Sequence, residues 1–164
     1  MEKEYINISS ISDSLRKHKK ILLNVPRRSG KSHLIARLAG LLSHAKEKVI
    51  ISNPNRAMER SFINLANSIN VFPSQDPYIK MVRSSSVNKL ELIGDRSKYF
   101  LMEECLDMQH INSLCDDIFS RNDVNILITG TNMYEKYTDR LVTNYGFKFF
   151  DEKDIIEELN WRDW

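Results

Sequence analysis

The sequence predicts an α/β fold: a three-layer sandwich whose mostly parallel sheet is flanked by helices on both faces. Two observations lead there. Four short runs, around residues 20–25, 49–52, 99–102 and 124–129, are apolar almost throughout, as strands buried on both faces are. Between them lie stretches with apolar residues at helical spacing, so strand and helix alternate along the chain. The length of 164 residues suits one such domain.

The elements follow in order. The first strand is Lys20 to Val25, and the segment from Pro26 to Gly30 breaks it. A helix comes next, with Leu34, Ile35, Leu38, Leu41 and Leu42 on one stripe. Val49 to Ser52 is the second strand. Asn53 before Pro54 reads as a helix N-cap with proline at the first helical position. The helix that follows carries Met58, Phe62, Leu65, Ala66 and Ile69 at helical spacing. Val71 to Pro77 is a turn-rich connection. Tyr78 to Arg83 and Lys89 to Ile93 alternate polar and apolar residues, which predicts a half-exposed hairpin or sheet edge. Gly94-Asp95 is a turn, and Tyr99 to Met102 is again a buried strand. A helix from Asp107 to Phe119, a strand from Val124 to Thr129, a helix from Met133 to Val142, a strand from Phe147 to Phe150 and a helix after Asp151 complete the reading. We therefore expect one domain over 1–164, with its core at about 20–150 and an acidic C-terminal helix at 151–164.

Composition narrows the function classes. Hydrophobic residues make up 41% and charged residues 28%, an ordinary globular balance rather than a disordered one. The net charge of +2 is too small to argue for nucleic-acid binding by itself. The basic residues Arg16, Lys17, Lys19, Lys20, Arg27, Arg28, Lys31 and Arg37 gather in the first quarter, and solvated faces account for such runs. Cys105 and Cys115 match neither a disulfide framework nor a metal-ligand pattern, so they read as small, buried or half-buried residues in a reducing cytoplasm. No apolar run approaches the roughly 18 residues that span a bilayer. The start, Met-Glu-Lys-Glu-Tyr, has no signal-peptide core. The expectation is a cytoplasmic chain with no membrane partner.

Three motifs carry chemistry. The first is Val25-Pro26-Arg27-Arg28-Ser29-Gly30-Lys31-Ser32, a P-loop with Val25 where the first glycine usually stands. A loop from buried strand to helix turns its N–H groups and the helix N-terminus onto phosphate oxygens. The expected ATP-binding set is Pro26, Arg27, Arg28, Ser29, Gly30, Lys31 and Ser32. In it Gly30 permits close backbone approach, Lys31 supplies charge to the β- and γ-phosphates, and the Ser32 hydroxyl reaches Mg²⁺. Arg27 and Arg28 fit three roles: a finger in cis, a contact to a neighbouring subunit's nucleotide, or neutralisation of bound triphosphate.

The second motif, Lys98 to Glu104, is an apolar strand ending in two acids, the Walker B arrangement. Glu103 stands where the metal-holding carboxylate belongs, and Glu104 where the catalytic base orients water. Aspartate is more usual at the first place. The third, Asn125 to Thr131, is a buried strand ending in small polar residues, with Thr129, Gly130 and Thr131 placed to sense the γ-phosphate. The segment Ser52 to Arg56 fits either a nucleic-acid-touching loop or an ordinary capping turn. No Asn-Lys-x-Asp guanine-reading motif is present, which disfavours a GTPase, and no lid of the adenylate-kinase kind is evident.

Over roughly residues 20–135 the motifs resemble the ATPase domain of phage terminase large subunits, and more loosely helicase-like motors. The resemblance rests on Arg27-Arg28-Ser29-Gly30-Lys31-Ser32, on Val49 to Ala57 with its following helix, on the strand pair Tyr78 to Ile93 ahead of the Walker B acids, and on Ile128-Thr-Gly-Thr-Asn132. It implies a RecA-like P-loop sheet and a Mg²⁺-dependent ATPase that couples hydrolysis to translocation of double-stranded DNA during viral packaging. It also implies a ring with other copies of the chain, or a packaging or replication partner, in the host cytoplasm. Two departures stand out: Glu103 replaces the expected aspartate, and no carboxylate cluster answers to the terminase nuclease. The competing reading is a nucleotide-dependent switch or helicase-loader module acting with a protein partner.

Overall fold

The computed structural model describes residues 8–25, 30–53, 55–83, 97–103, 118–130 and 135–159. They form a six-stranded sheet, parallel at every described pairing, with helices on both faces. The strands are β1 (Lys20–Asn24), β2 (Val49–Asn53), β3 (Ile79–Arg83), β4 (Tyr99–Glu103), β5 (Asn125–Gly130) and β6 (Lys148–Phe150). The helices are α1 (Ile8–His18), α2 (Lys31–His44), α3 (Arg56–Ser68), α4 (Glu135–Tyr145) and α5 (Glu152–Leu159), with a 3₁₀ turn at Ile118–Ser120. Across the sheet the order is β3-β2-β4-β5-β1-β6.

The two-sided burial expected of the apolar runs is realised. Ile21, Leu22 and Leu23 of β1, and Ile126, Leu127 and Ile128 of β5, are fully buried. Alternate residues feed two cores. Ile21, Leu23, Val49, Ile51, Tyr99, Leu101 and Leu127 face α1, α2, α3 and α5, through Leu15, Leu34, Leu38, Phe62 and Ile155. Leu22, Ile50, Phe100, Met102, Ile126 and Ile128 face Ile118, Phe119, Leu141 and Phe147 on the other side. There Phe119 packs edge-to-face on Phe100 and Phe147, with ring centroids 6.5 and 5.4 Å away. Each fully buried side chain of this size contributes about 1.5–3 kcal/mol of burial free energy.

The connection from β1 runs over one face toward β2, and that from β5 runs over the other toward β6. Connections running in opposite directions fall on opposite faces when all crossovers share the right hand. The connections therefore diverge at the carboxyl ends of neighbouring β1 and β5, the place where open parallel sheets bind ligands.

Several local expectations shift. The helix α1 was not foreseen; it buries Ile11 and Leu15, and its last turn carries Arg16, Lys17 and His18, which suit the negative end of the helix dipole. β3 pairs in parallel with β2 and has no second described neighbour, so the edge reading holds, while its expected hairpin mate at 89–93 lies outside the described residues. The helix expected at 107–119 is described only from residue 118, and there it is a 3₁₀ turn. Cys105 and Cys115 also lie outside. α5 opens with a reciprocal cap: the Asp154 backbone N–H donates to Asp151 Oδ1 at 3.0 Å, and the Asp151 N–H to Asp154 Oδ2 at 3.3 Å.

Candidate functional site

The site follows from strand parity. On β4, Tyr99 and Leu101 point to the α2 side, so Glu103 does too; on β2, Val49 and Ile51 carry Asn53 the same way; on β5, Leu127 carries Thr129. The register sets Leu23 beside Thr129, and Thr129 beside Glu103. Ser52 pairs with Met102, so Asn53 and Glu103 leave their strands side by side. Three polar side chains thus end adjacent strands on the face that α2 covers.

The helix α2 starts above them. Gly30 takes φ 90°, ψ 27°, a left-handed conformation that favours glycine, and its carbonyl accepts from the Leu34 N–H at 2.9 Å. Among the described residues no side-chain hydrogen bond caps this end and no acid lies in the first turn, so the positive end of the helix dipole favours an anion here. Lys31 is the first helical residue.

Ser32, one position on, meets Glu103. Its hydroxyl donates to Glu103 Oε1, joining residues 71 apart in sequence. The other carboxylate oxygen, Oε2, accepts from Asn53 Nδ2 at 2.8 Å. Glu103 is buried, 4% exposed, and a carboxylate inside a protein requires such donors. Among the described residues no group of three or more His, Cys, Asp or Glu gathers to cage a metal. The oxygens present, one hydroxyl and one carboxylate, fit Mg²⁺, which takes one or two protein ligands and completes its shell with water and phosphate.

The remaining expected positions divide. Thr129 is fully buried, and its hydroxyl donates to the Met102 carbonyl at 3.4 Å, toward the neighbouring strand. The Gly130 carbonyl accepts from the Val25 N–H at 2.8 Å and ties the start of the loop to β5. Pro26, Arg27, Arg28, Ser29, Glu104 and Thr131 lie outside the described residues. Two readings need correction. Asn53 is no cap: β2 runs through it, and Asn55 caps α3 instead, accepting from the Met58 N–H at 3.0 Å. Lys20 is no part of a solvated basic face: it is 8% exposed, its Nζ donates to the Phe119 carbonyl at 2.6 Å, and burial lowers its pKa. Arg16 is exposed, and its hydrogen bond with Tyr99 leads the interactions that raise its pKa. Asn53 stands outside the sequence-predicted site residues; parity with Val49 and Ile51 points it to the α2 face, but only the pairing of β2 with β4 sets it beside Glu103.

The order β2-β4-β5-β1 places β5 between the P-loop strand and the strand carrying Glu103, so an added strand separates the two motifs. The fold is RecA-like. Among solved structures the chain is similar to the UvsW helicase from bacteriophage T4, with a TM-score of 0.60 and 13% identity, over 87% of this chain. It spans 58% of that helicase chain. No protein-family model matches the sequence, and no curated protein matches it. Within the described residues no helix is long and apolar enough to cross a membrane.

Proposed function

We propose that this chain is the ATP-hydrolysing domain of a DNA motor and works with Mg²⁺. The observation that supports it best is the contact of Ser32 with Glu103: the hydroxyl of a P-loop and the carboxylate of a Walker B strand, distant in sequence, share one site below the N-terminus of α2. In this reading the N–H groups of α2 and the Lys31 ammonium bind the β- and γ-phosphates. Ser32 and Glu103 hold Mg²⁺, which when bound neutralises charge on those phosphates. Glu104 follows Glu103 directly and takes a proton from the attacking water. Arg27 and Arg28 are assigned, from their place in the motif, to the triphosphate of this chain or of a neighbouring subunit. With the Thr129 hydroxyl turned to the Met102 carbonyl, sensing of the γ-phosphate falls to Thr131 and the Gly130 backbone.

The finer reading is a packaging motor of the terminase type, moving double-stranded DNA in the host cytoplasm as part of a ring of copies or with a packaging partner. The run Arg27-Arg28-Ser29-Gly30-Lys31-Ser32 supports it. The likeness to a helicase favours a second reading, a helicase-like motor module on DNA. ATP hydrolysis measured without DNA, with duplex and with single strands, alongside solution mass, tests both. Stimulation by duplex DNA in an oligomer supports the packaging motor. Stimulation by single strands in a monomer supports the helicase-like module. Slow turnover indifferent to DNA argues for a nucleotide switch and against either motor.

A further inference from the structure

We infer that Asn53 is a positioning residue of the proposed metal site: its amide fixes the Glu103 carboxylate so that Oε1, and not Oε2, is presented to Ser32 and the cation. The inference rests on the reading of Ser32 and Glu103 as Mg²⁺ ligands. Four observations support it. A carboxylate only accepts, so the group facing Glu103 Oε2 at 2.8 Å is the NH₂ of Asn53. Both side chains are buried, Asn53 fully, so water does not substitute readily for the contact. The two carboxylate oxygens have separate donors, Ser32 on Oε1 and Asn53 on Oε2, and rotating the carboxylate breaks both bonds. The capping of α3 falls to Asn55, so helix initiation does not explain an asparagine at position 53.

The length of Glu103 explains why an anchor is needed. Glutamate has one more rotatable bond than the aspartate usual at this place, and an unanchored carboxylate must lose that freedom when a cation binds. Asn53, on the strand next to β4, removes the freedom beforehand. A cation at Oε1 would then displace the contact from Ser32, while the contact of Asn53 to Oε2 stays.

The test is a Mg²⁺ titration of ATP binding, with binding in EDTA as reference, on the parent, Asn53→Ala and Asn53→Asp, each also combined with Glu103→Asp. Loss of one hydrogen bond to a charged group raises the Mg²⁺ half-saturation by roughly tenfold or more in Asn53→Ala, while ATP affinity in EDTA stays within about twofold of the parent. Asn53→Asp, which cannot donate when ionised and sets a second carboxylate against the first, is affected more. In the Glu103→Asp background the shorter acid no longer reaches Asn53, so Asn53→Ala adds little. If a thermal melt shows Asn53→Ala unfolded, Asn53→Gln replaces it and the same Mg²⁺ shift is expected from the displaced amide. A parent that binds ATP with Mg²⁺ while Asn53→Ala keeps its half-saturation overturns this inference alone. An equal loss with and without Mg²⁺ overturns it in favour of a merely structural residue. A parent that binds no ATP under either condition overturns the functional reading and the inference together.

Discussion

Replacing Ser32 with alanine tests the central contact without any nucleotide. The hydroxyl donates to a buried carboxylate, and a hydrogen bond to a charged group contributes about 1.5–3 kcal/mol. Ser32 is only half-buried and Asn53 keeps the second oxygen satisfied, so the loss falls near the lower end, about 1.5 kcal/mol. Alanine is the better helix former and returns a few tenths of a kcal/mol at this helical position. The net cost is therefore about 1 kcal/mol, which for a chain of this length lowers Tm by about 2–4 °C. Thermal melts of the apo protein in EDTA measure it. A double-mutant cycle with Glu103→Ala, which removes the acceptor, cancels the helix-propensity term and isolates the pair. A Ser32→Ala protein that melts with the parent, together with a coupling below about 0.3 kcal/mol, refutes the geometry on which the site is built.

Three further outcomes follow from the same structure. Leu101 is fully buried at the centre of β4, and Leu101→Ala costs about 2–5 kcal/mol, read as a lower urea midpoint at unchanged slope. Gly30→Ala places a side chain at φ 90° and costs about 1–2 kcal/mol in a thermal melt, with a matching loss of ATP binding. Lys20 has a folded pKa below its unfolded value because burial disfavours the charged form. The unfolded chain therefore holds the proton more firmly, and the penalty is full below the folded pKa and disappears as pH rises toward 10.5. The stability of the parent relative to Lys20→Met should rise over that alkaline window; a flat or falling difference contradicts the burial of the ammonium.

The sheet was legible because strands buried on both faces leave an unbroken apolar run; β1, β2, β4 and β5 were all readable on that ground. The order of the strands was not, since pairing depends on contacts far apart in sequence. α1 escaped because its apolar stripe is thin: Ile8, Ile11 and Leu15 stand among serines, and the basic residues after them drew a reading from charge alone. Lys20 was misjudged for a related reason, as residue type outweighed its place at the start of a central strand. At the site, Ser32 and Glu103 were readable because P-loop and Walker B chemistry fixes residue types at fixed offsets. Asn53 was not, because an asparagine before Pro54 suits a helix cap. Its contact with Glu103 depends on the pairing of β2 with β4, and that pairing lies in tertiary structure.

Steady-state ATP hydrolysis by the parent, Lys31→Ala and Glu104→Gln, with Mg²⁺ and with EDTA, tests the account most directly. It predicts turnover that requires Mg²⁺, a loss of roughly a hundredfold or more in Glu104→Gln with ATP binding retained, and a loss of binding in Lys31→Ala. Hydrolysis that persists in EDTA, or that proceeds in Glu104→Gln at the parent's rate, contradicts it.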